Sequence, residues 1–388
     1  MEHQGLKANG YAGYKGIAGF FLQLNNSVMK KLIIYLFCLF AFSQLASCQN
    51  KTEKKMGTEI YDWQETISCP PGYPVEVYKG GLQNLKEGTY VSLNLGIHRG
   101  LEGWGSEGRS MDSGGKPLPD HLNVVYLSFA EDKFFQVDCN LDYEMMASLF
   151  RKGYDIKAIS GSGKIRHESY NTIIVGFAPG GVCVVWISGI GRQTEIGRYQ
   201  GREVEIPKQE IENLDSHNHL MFEPEYRKKM MKDPNIVPLA LQGKPISYGL
   251  WDTYRNKYNW KPVFEFQNEG HLRETRAVYL AHINGEEDNV LSENFPLKDF
   301  EKKAMPSEFG FGWKDQAGQS YSGFGKLNKE SVFAAFKNVY GDNPDQITAD
   351  LDIRVNMINT FFTVKLKGNG KDVFIKTDSI EIFKTDKK

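Results

Sequence analysis

Two patterns of apolar and polar positions recur along the chain. Residues 122–129 and 133–138 alternate apolar and polar side chains, which predicts two strands, and residues 309–313 and 320–324 do the same. Each pair is followed by apolar residues at three-and-four spacing, in 141–150 and 331–336, as on an amphipathic helix. Asn140 and Asn328 stand where N-caps belong. Two more strand-like runs follow each helix: 172–177 and 182–187, ending at Gly189, then 351–355 and 361–366, ending at Gly368. The runs of the first half are almost wholly apolar, so their sheet is expected to be covered on both faces. Those of the second half interleave Ile, Val and Leu with Arg and Lys, as in a sheet with one wet face.

The parallel extends to single landmarks. Counted from Pro119 and Pro306, Tyr126 matches Trp313, Phe135 matches Tyr321, Leu141 matches Leu327, Phe150 matches Phe336 and Tyr154 matches Tyr340 once a single deletion is allowed. The expected fold is therefore α+β, with two tandem duplicated units, each an antiparallel sheet with a helix packed on one face and a β-β-α-β-β core. The first domain is expected over residues 58–240 and the second over 241–388. Between them, residues 215–234 are polar and basic and read as a short exposed helix stopped by Pro234.

The N-terminus carries an address. Lys30 and Lys31 precede an apolar stretch of eleven residues, 32–42, which is too short to span a bilayer, and small residues follow before Cys48. Leu45-Ala46-Ser47-Cys48 resembles the lipobox of bacterial lipoproteins, in which the cysteine is diacylated and becomes the first mature residue. The expected division is an upstream extension at 1–28, a signal peptide at 29–47 and a polar tether at 48–57. The membrane is then a partner through the lipid on Cys48. Gln49, where aspartate marks inner-membrane retention in enteric bacteria, favours the outer membrane of a Gram-negative envelope.

Composition adds mainly exclusions. Forty-seven Lys and Arg against 48 Asp and Glu give a formal charge of −1, without the cationic footprint of a nucleic-acid binder. With Cys38 and Cys48 assigned to the signal and the lipid, Cys69, Cys139 and Cys183 remain, all in strand-like surroundings where a buried free thiol is the simpler reading than a disulfide. No spacing specifies a cofactor.

Three segments are candidates for chemistry. Asp215, His217 and His219 are the best metal-ligand set, although histidines two apart converge only on a strand and this segment reads as a helix cap. Residues 100–115 hold six glycines and read as a surface loop able to meet a partner, with Trp104 inside it. Residues 251–260 carry Trp251, Tyr254, Arg255 and Trp260, which either pack on a sheet or present a platform to a protein or a glycan.

Tyr61-Asp62-Trp63, the run 70–77, Leu118-Pro119 with the strand to Ser128, the run 181–189, the run 195–201 and the segment 251–260 together resemble the bacterial lipoproteins catalogued as domain of unknown function 2931. That resemblance supports the lipoprotein reading and implies neither an activity nor catalytic residues. The expected function is a non-enzymatic protein-binding or accessory lipoprotein, including neutralisation of a toxin at the envelope. A glycan-binding lipoprotein is the alternative, with Trp104, Trp251 or Trp260 exposed on a shallow groove. A hydrolase stands third and needs a deep pocket where His217 or His271 faces a carboxylate or serine.

Overall fold

The computed structural model describes residues 58–157 and 163–385. The upstream extension, signal peptide, Cys48 and tether lie outside the described residues. The first half contains β1 (Tyr61–Ser68), β2 (Val75–Asn84), β3 (Thr89–Ser92), β4 (Ser113–Lys116), β5 (His121–Ser128), β6 (Lys133–Asn140) and helix α1 (Tyr143–Lys152). The pair β7 (Tyr154–Lys157) and β8 (Ile165–Glu168) follows, then β9 (Thr172–Ala178), β10 (Val182–Gly189), β11 (Arg192–Gln200) and β12 (Arg202–Val204). Short helices α2 (Lys208–Glu212), α3 (Ser216–His219), α4 (Pro224–Lys232) and α5 (Leu250–Tyr254) lead onward. The second half contains β13 (Lys257–Phe266), β14 (His271–Leu272), β15 (Ala277–His282), β16 (Glu287–Leu291), β17 (Glu301–Ala304), β18 (Pro306–Lys314) and β19 (Ser320–Leu327). Helix α6 (Lys329–Tyr340), β20 (Thr348–Val355), β21 (Phe362–Gly368), β22 (Lys371–Ile375) and β23 (Thr377–Thr385) complete it.

Strand makes up 47% of the structure and helix 16%, which overturns the α+β expectation of one antiparallel sheet with a helix on its face. Each half is built from two sheets instead. In the first half their orders are β12-β6-β5-β2-β3 and β4-β1-β9-β10-β11; in the second, β23-β19-β18-β15-β16 and β17-β13-β20-β21-β22. The two pairs of orders correspond strand for strand. Nor is either half purely antiparallel, because β1 runs parallel to β9 and β13 parallel to β20. These pairings join segments on either side of a helix, and local periodicity does not reveal them. In the first half the two sheets share a core containing Val77, Leu122, Tyr126 and Phe135 from one and Ile173, Phe177, Val185 and Ile187 from the other.

The landmarks hold matching positions. Tyr126 lies opposite Phe135 and Trp313 opposite Tyr321, and both ring pairs stack, with centroids 5.7 and 5.3 Å apart. Asn328 caps α6 as expected, its Oδ1 accepting from the Ser331 amide at 3.0 Å. Asn140 does not cap α1: β6 continues through it, and Asp142 accepts from the Met145 amide at 2.9 Å.

Where the halves meet, Gln193 of β11 pairs with Glu287 of β16, so that a sheet of each half merges into one of 11 strands. The continuous apolar runs are explained here. Ile173, Val175, Phe177, Val185 and Ile187 point into the first core, whereas Ile174, Val184 and Trp186 point into the second with Trp251, Trp260 and Trp313. The described residues accordingly form one compact unit.

Trp186 is fully buried and contributes to the core of the other half, so Trp186→Ala should cost about 3–5 kcal/mol in a urea titration. Because the wall is shared, far-ultraviolet dichroism and tryptophan fluorescence should report one coincident transition in the wild type. Two separated transitions would show that the halves unfold independently.

Candidate functional site

The structure scatters the residues that sequence marked for contact. Trp251, Tyr254 and Trp260 are core residues at 2%, 4% and 0% exposure, which leaves no ring face for a ligand. Their polar atoms are engaged as well: the Trp260 Nε1 donates to the Ala304 carbonyl at 3.1 Å and Lys329 Nζ donates to the Tyr254 hydroxyl at 3.2 Å. Arg255 pairs with Glu195 at 2.7 Å and Asp252 with Arg198 at 2.8 Å, fastening this segment to β11. Trp104 is half-buried and packs edge-on against Trp186 at 5.0 Å.

Asp215 acts as a cap, its Oδ1 accepting from the Asn218 amide at 2.9 Å, and His219 Nδ1 lies 3.7 Å from Glu223 one turn on. The His217 side chain lies outside the described residues. Among those described, no three His, Cys, Asp or Glu side chains converge as a metal site. Cys69, Cys139 and Cys183 are free thiols. Burial raises all three thiols, Cys139 to about 12, which suits packing rather than nucleophilic chemistry.

The glycine-rich loop is a joint. Gly105 has φ +85°, and a Cβ there would stand 2.7 Å from the Gly285 Cα in the β15–β16 turn. Gln193 Nε2 donates to the carbonyls of Gly105 and Gly285 at 2.7 and 2.5 Å, and the Gly105 amide donates to Ser68 Oγ at 3.0 Å. Gly108 in turn leaves room for the His98 ring, which a Cβ would approach to 2.5 Å. Beside this joint lies a cleft of about 310 Å³ lined by Trp104, Gln193, Tyr279, Glu287, Glu308 and Lys326 among others. Its groups satisfy one another. Tyr279 donates to Glu287 at 3.0 Å, Glu308 pairs with Lys326 at 3.1 Å, and His282 bridges the Ala304 carbonyl and Asp288, each at 3.1 Å. Burial raises the Glu287 carboxyl. Burial would raise Asp288 too, but the His282 hydrogen bond and the Lys303 and Arg192 cations hold it well below the carboxylate range.

A second feature escaped sequence reasoning. The outward faces of the matching sheets differ in chemistry. On the first half Asn123 lies opposite Asp138 and Val125 opposite Gln136; on the second, Gly310 lies opposite Phe324 and Gly312 opposite Ser322. Tyr78, Val125, Leu127 and Phe134 on the first face are covered by Met221, Phe222, Tyr226 and neighbouring residues of the helical connection. On the second face Phe324 and Phe383 are each 51% exposed. Gly310 and Gly312 floor a groove of about 210 Å³ whose walls include Tyr279, Phe324 and Arg276. The phenylalanines sit on alternating strands, where an inward and an outward ring look alike in sequence.

Residues 47–237 match the family described as Protein of unknown function (DUF2931). The match ends before the segment 251–260, which the sequence resemblance had included. No curated protein and no solved structure shows a match.

Burial and the Arg99 cation lower His98 to about 4 in the folded protein, against about 6.5 for a free imidazole. The unfolded chain therefore binds the proton first, and stability present above pH ~6.5 is lost as pH falls toward 4. Urea midpoints at pH 7.5 and 4.5 should fall further for the wild type than for His98→Gln, and an equal fall would remove His98 as the source.

Proposed function

We propose that this protein is a non-enzymatic lipoprotein of the bacterial envelope, anchored through a diacylated Cys48, with the outer membrane favoured, and that it binds a protein partner. The observation that supports this reading best is the exposed pair Phe324 and Phe383 beside the glycine-floored groove. Exposed aromatic side chains on a contiguous sheet face favour association. The matching positions on the first half carry Asn123, Val125, Gln136 and Asp138, and the apolar Val125 there is covered by the helical connection. Cys48 supplies the address and the second half the contact surface.

The other two readings have less support. A glycan platform was expected from exposed tryptophans, and Trp251 and Trp260 are in the core. A hydrolase was expected from His217 or His271 in a deep pocket, and His271 is an exposed strand residue opposite Lys314.

A photoreactive amino acid at position 322 should crosslink one stoichiometric protein in intact envelopes, and the same probe at position 123 should not. The adduct should disappear in Cys48→Ala. Equal labelling at both positions, or none at either, would overturn the binding face.

A further inference from the structure

Three loops gather at one end of the second half: 267–270 after β13, 315–319 between β18 and β19, and 356–361 between β20 and β21. The last of these is firmly held. Asn359 is buried with φ +58°, and its Oδ1 accepts from Trp313 Nε1 at 2.7 Å and from Asn268 Nδ2 at 2.6 Å. Asn356 Oδ1 accepts from the Thr360 and Phe361 amides at 2.8 and 3.2 Å, which closes the turn on itself. Beside Thr360, what this frame presents to solvent is apolar, with Met357 at 63%, Ile358 at 71% and Phe361 at 51% exposure. The matching β9–β10 connection of the first half needs only Pro179-Gly180-Gly181 and exposes no large apolar side chain. Joining two strands therefore does not require the longer turn. Three adjacent exposed apolar side chains on an ordered turn mark a contact.

The register of the sheet says where that turn stands. One row of paired residues crosses from the first strand to the second half: Gln64, Thr172, Ser188, Gln193, Glu287, Ala281 and Glu308. From this row β1 runs back to Tyr61 and β18 runs forward to Lys314, and the alternating strand directions put both on one edge of the 11-stranded sheet. Twist turns that edge without exchanging it for the other. The bond from Trp313 to Asn359 places the turn beside the same edge. From β1 to β18 there are six strand steps, about 29 Å at the usual spacing. The ten residues 48–57 that lead from Cys48 to β1 extend at most about 33–36 Å. A lipid on Cys48 can accordingly reach the bilayer under this turn.

Charge and shape decide what the turn touches. Lys314 and Lys384 stand at this edge, as do Glu269 and Asp315, so neither sign dominates. The adjoining pocket is lined by amides and carboxylates apart from Ala317 and Met357, and Ile358 and Phe361 lie outside it. A convex apolar tip without a charge preference inserts into a soft apolar phase, with an attraction set by the area it buries.

We infer that the β20–β21 turn is a membrane-contacting tip, whose Met357, Ile358 and Phe361 enter the headgroup and upper acyl region of the bilayer that holds the lipid on Cys48. The inference rests on the anchor proposed above, not on the Phe324 face, and adds a second contact that orients the folded part on the membrane.

The test is bromine quenching in the intact lipidated protein, reconstituted into vesicles of phosphatidylethanolamine and phosphatidylglycerol with brominated acyl chains. Ile358→Trp exchanges one exposed apolar side chain for another and leaves the asparagine bonds in place; Met357→Trp makes the same test should circular dichroism show the first variant unfolded. The added emission should shift to the blue on reconstitution and be lost to the bromines, equally at low and high salt. Leu239→Trp, on the 239–241 turn that packs beside Gly72 past the other end of β1, should show neither effect. Emission at 358 that ignores the bromines, or equal loss at 239, would overturn the tip, and flotation with the vesicles would then leave the anchor standing. A blue shift without quenching would also overturn it and put a second copy of the chain over the turn. Protein that does not float with the vesicles would remove anchor and tip together.

Discussion

Everything in this architecture depends on β9 and β10 being apolar on both faces. A strand alternates its side chains between two sides, so a strand with one wet face carries polar residues at every second position. Here Ile173, Val175 and Phe177 fill one core while Ile174 and Ala178 fill the other, and Val184 and Trp186 on β10 do the same against Val185 and Ile187. One pair of strands is thereby a wall common to both halves. The neighbouring β11 extends the wall to β16, and Gln193 with the apposed Gly105 and Gly285 closes the seam. The glycines are required for geometric reasons, since any side chain at Gly105 would collide with the facing backbone.

Matching strand orders make the differences between the halves informative. The outer face of β20 and β21 corresponds to the wall of the first half, yet it carries an ion-paired ladder: Lys367 binds Asp352 at 2.6 Å and Lys365 binds Asp372 at 3.3 Å. That face is adapted to water. On the other sheet the exchange runs the opposite way, with Phe324 where the first half has Asp138 and Gly310 where it has Asn123. One surface is polar where its counterpart is buried, and another leaves Phe324 exposed where its counterpart carries Asp138 and a helical connection over its apolar residues.

Much of this was legible in the sequence, for stated physical reasons. Strand pairs, both long helices, the stacked landmarks and the doubly buried runs follow from periodicity and side-chain size, which are local properties. The Asn328 cap was legible because its helix begins directly after β19, whereas Asn140 was absorbed by a longer β6. Sheet partnership was not legible: Gln64 pairs with Thr172 across more than a hundred residues, and nothing local specifies a parallel neighbour. Trp251 and Trp260 illustrate the same limit. Their aromatic density is equally consistent with a platform and a core, and the wall that buries them comes from the other half of the chain. Arg273 is the converse, an ordinary surface residue by sequence that the loop before β15 carries into the interior.

The exposed phenylalanines bear on function because the fold gains little from them. An interior ring contributes on the order of 2–3 kcal/mol through removal from water, and a half-exposed ring forfeits much of that. Phe324 packs its ring on the Gly310 backbone, where there is no side chain to shield. It is not stabilising a strand edge either, because β19 is paired on both sides, with β18 and β23. The ring instead widens an apolar surface around the groove beside it. An exposed ring that adds little to folding is what the proposed contact surface would use.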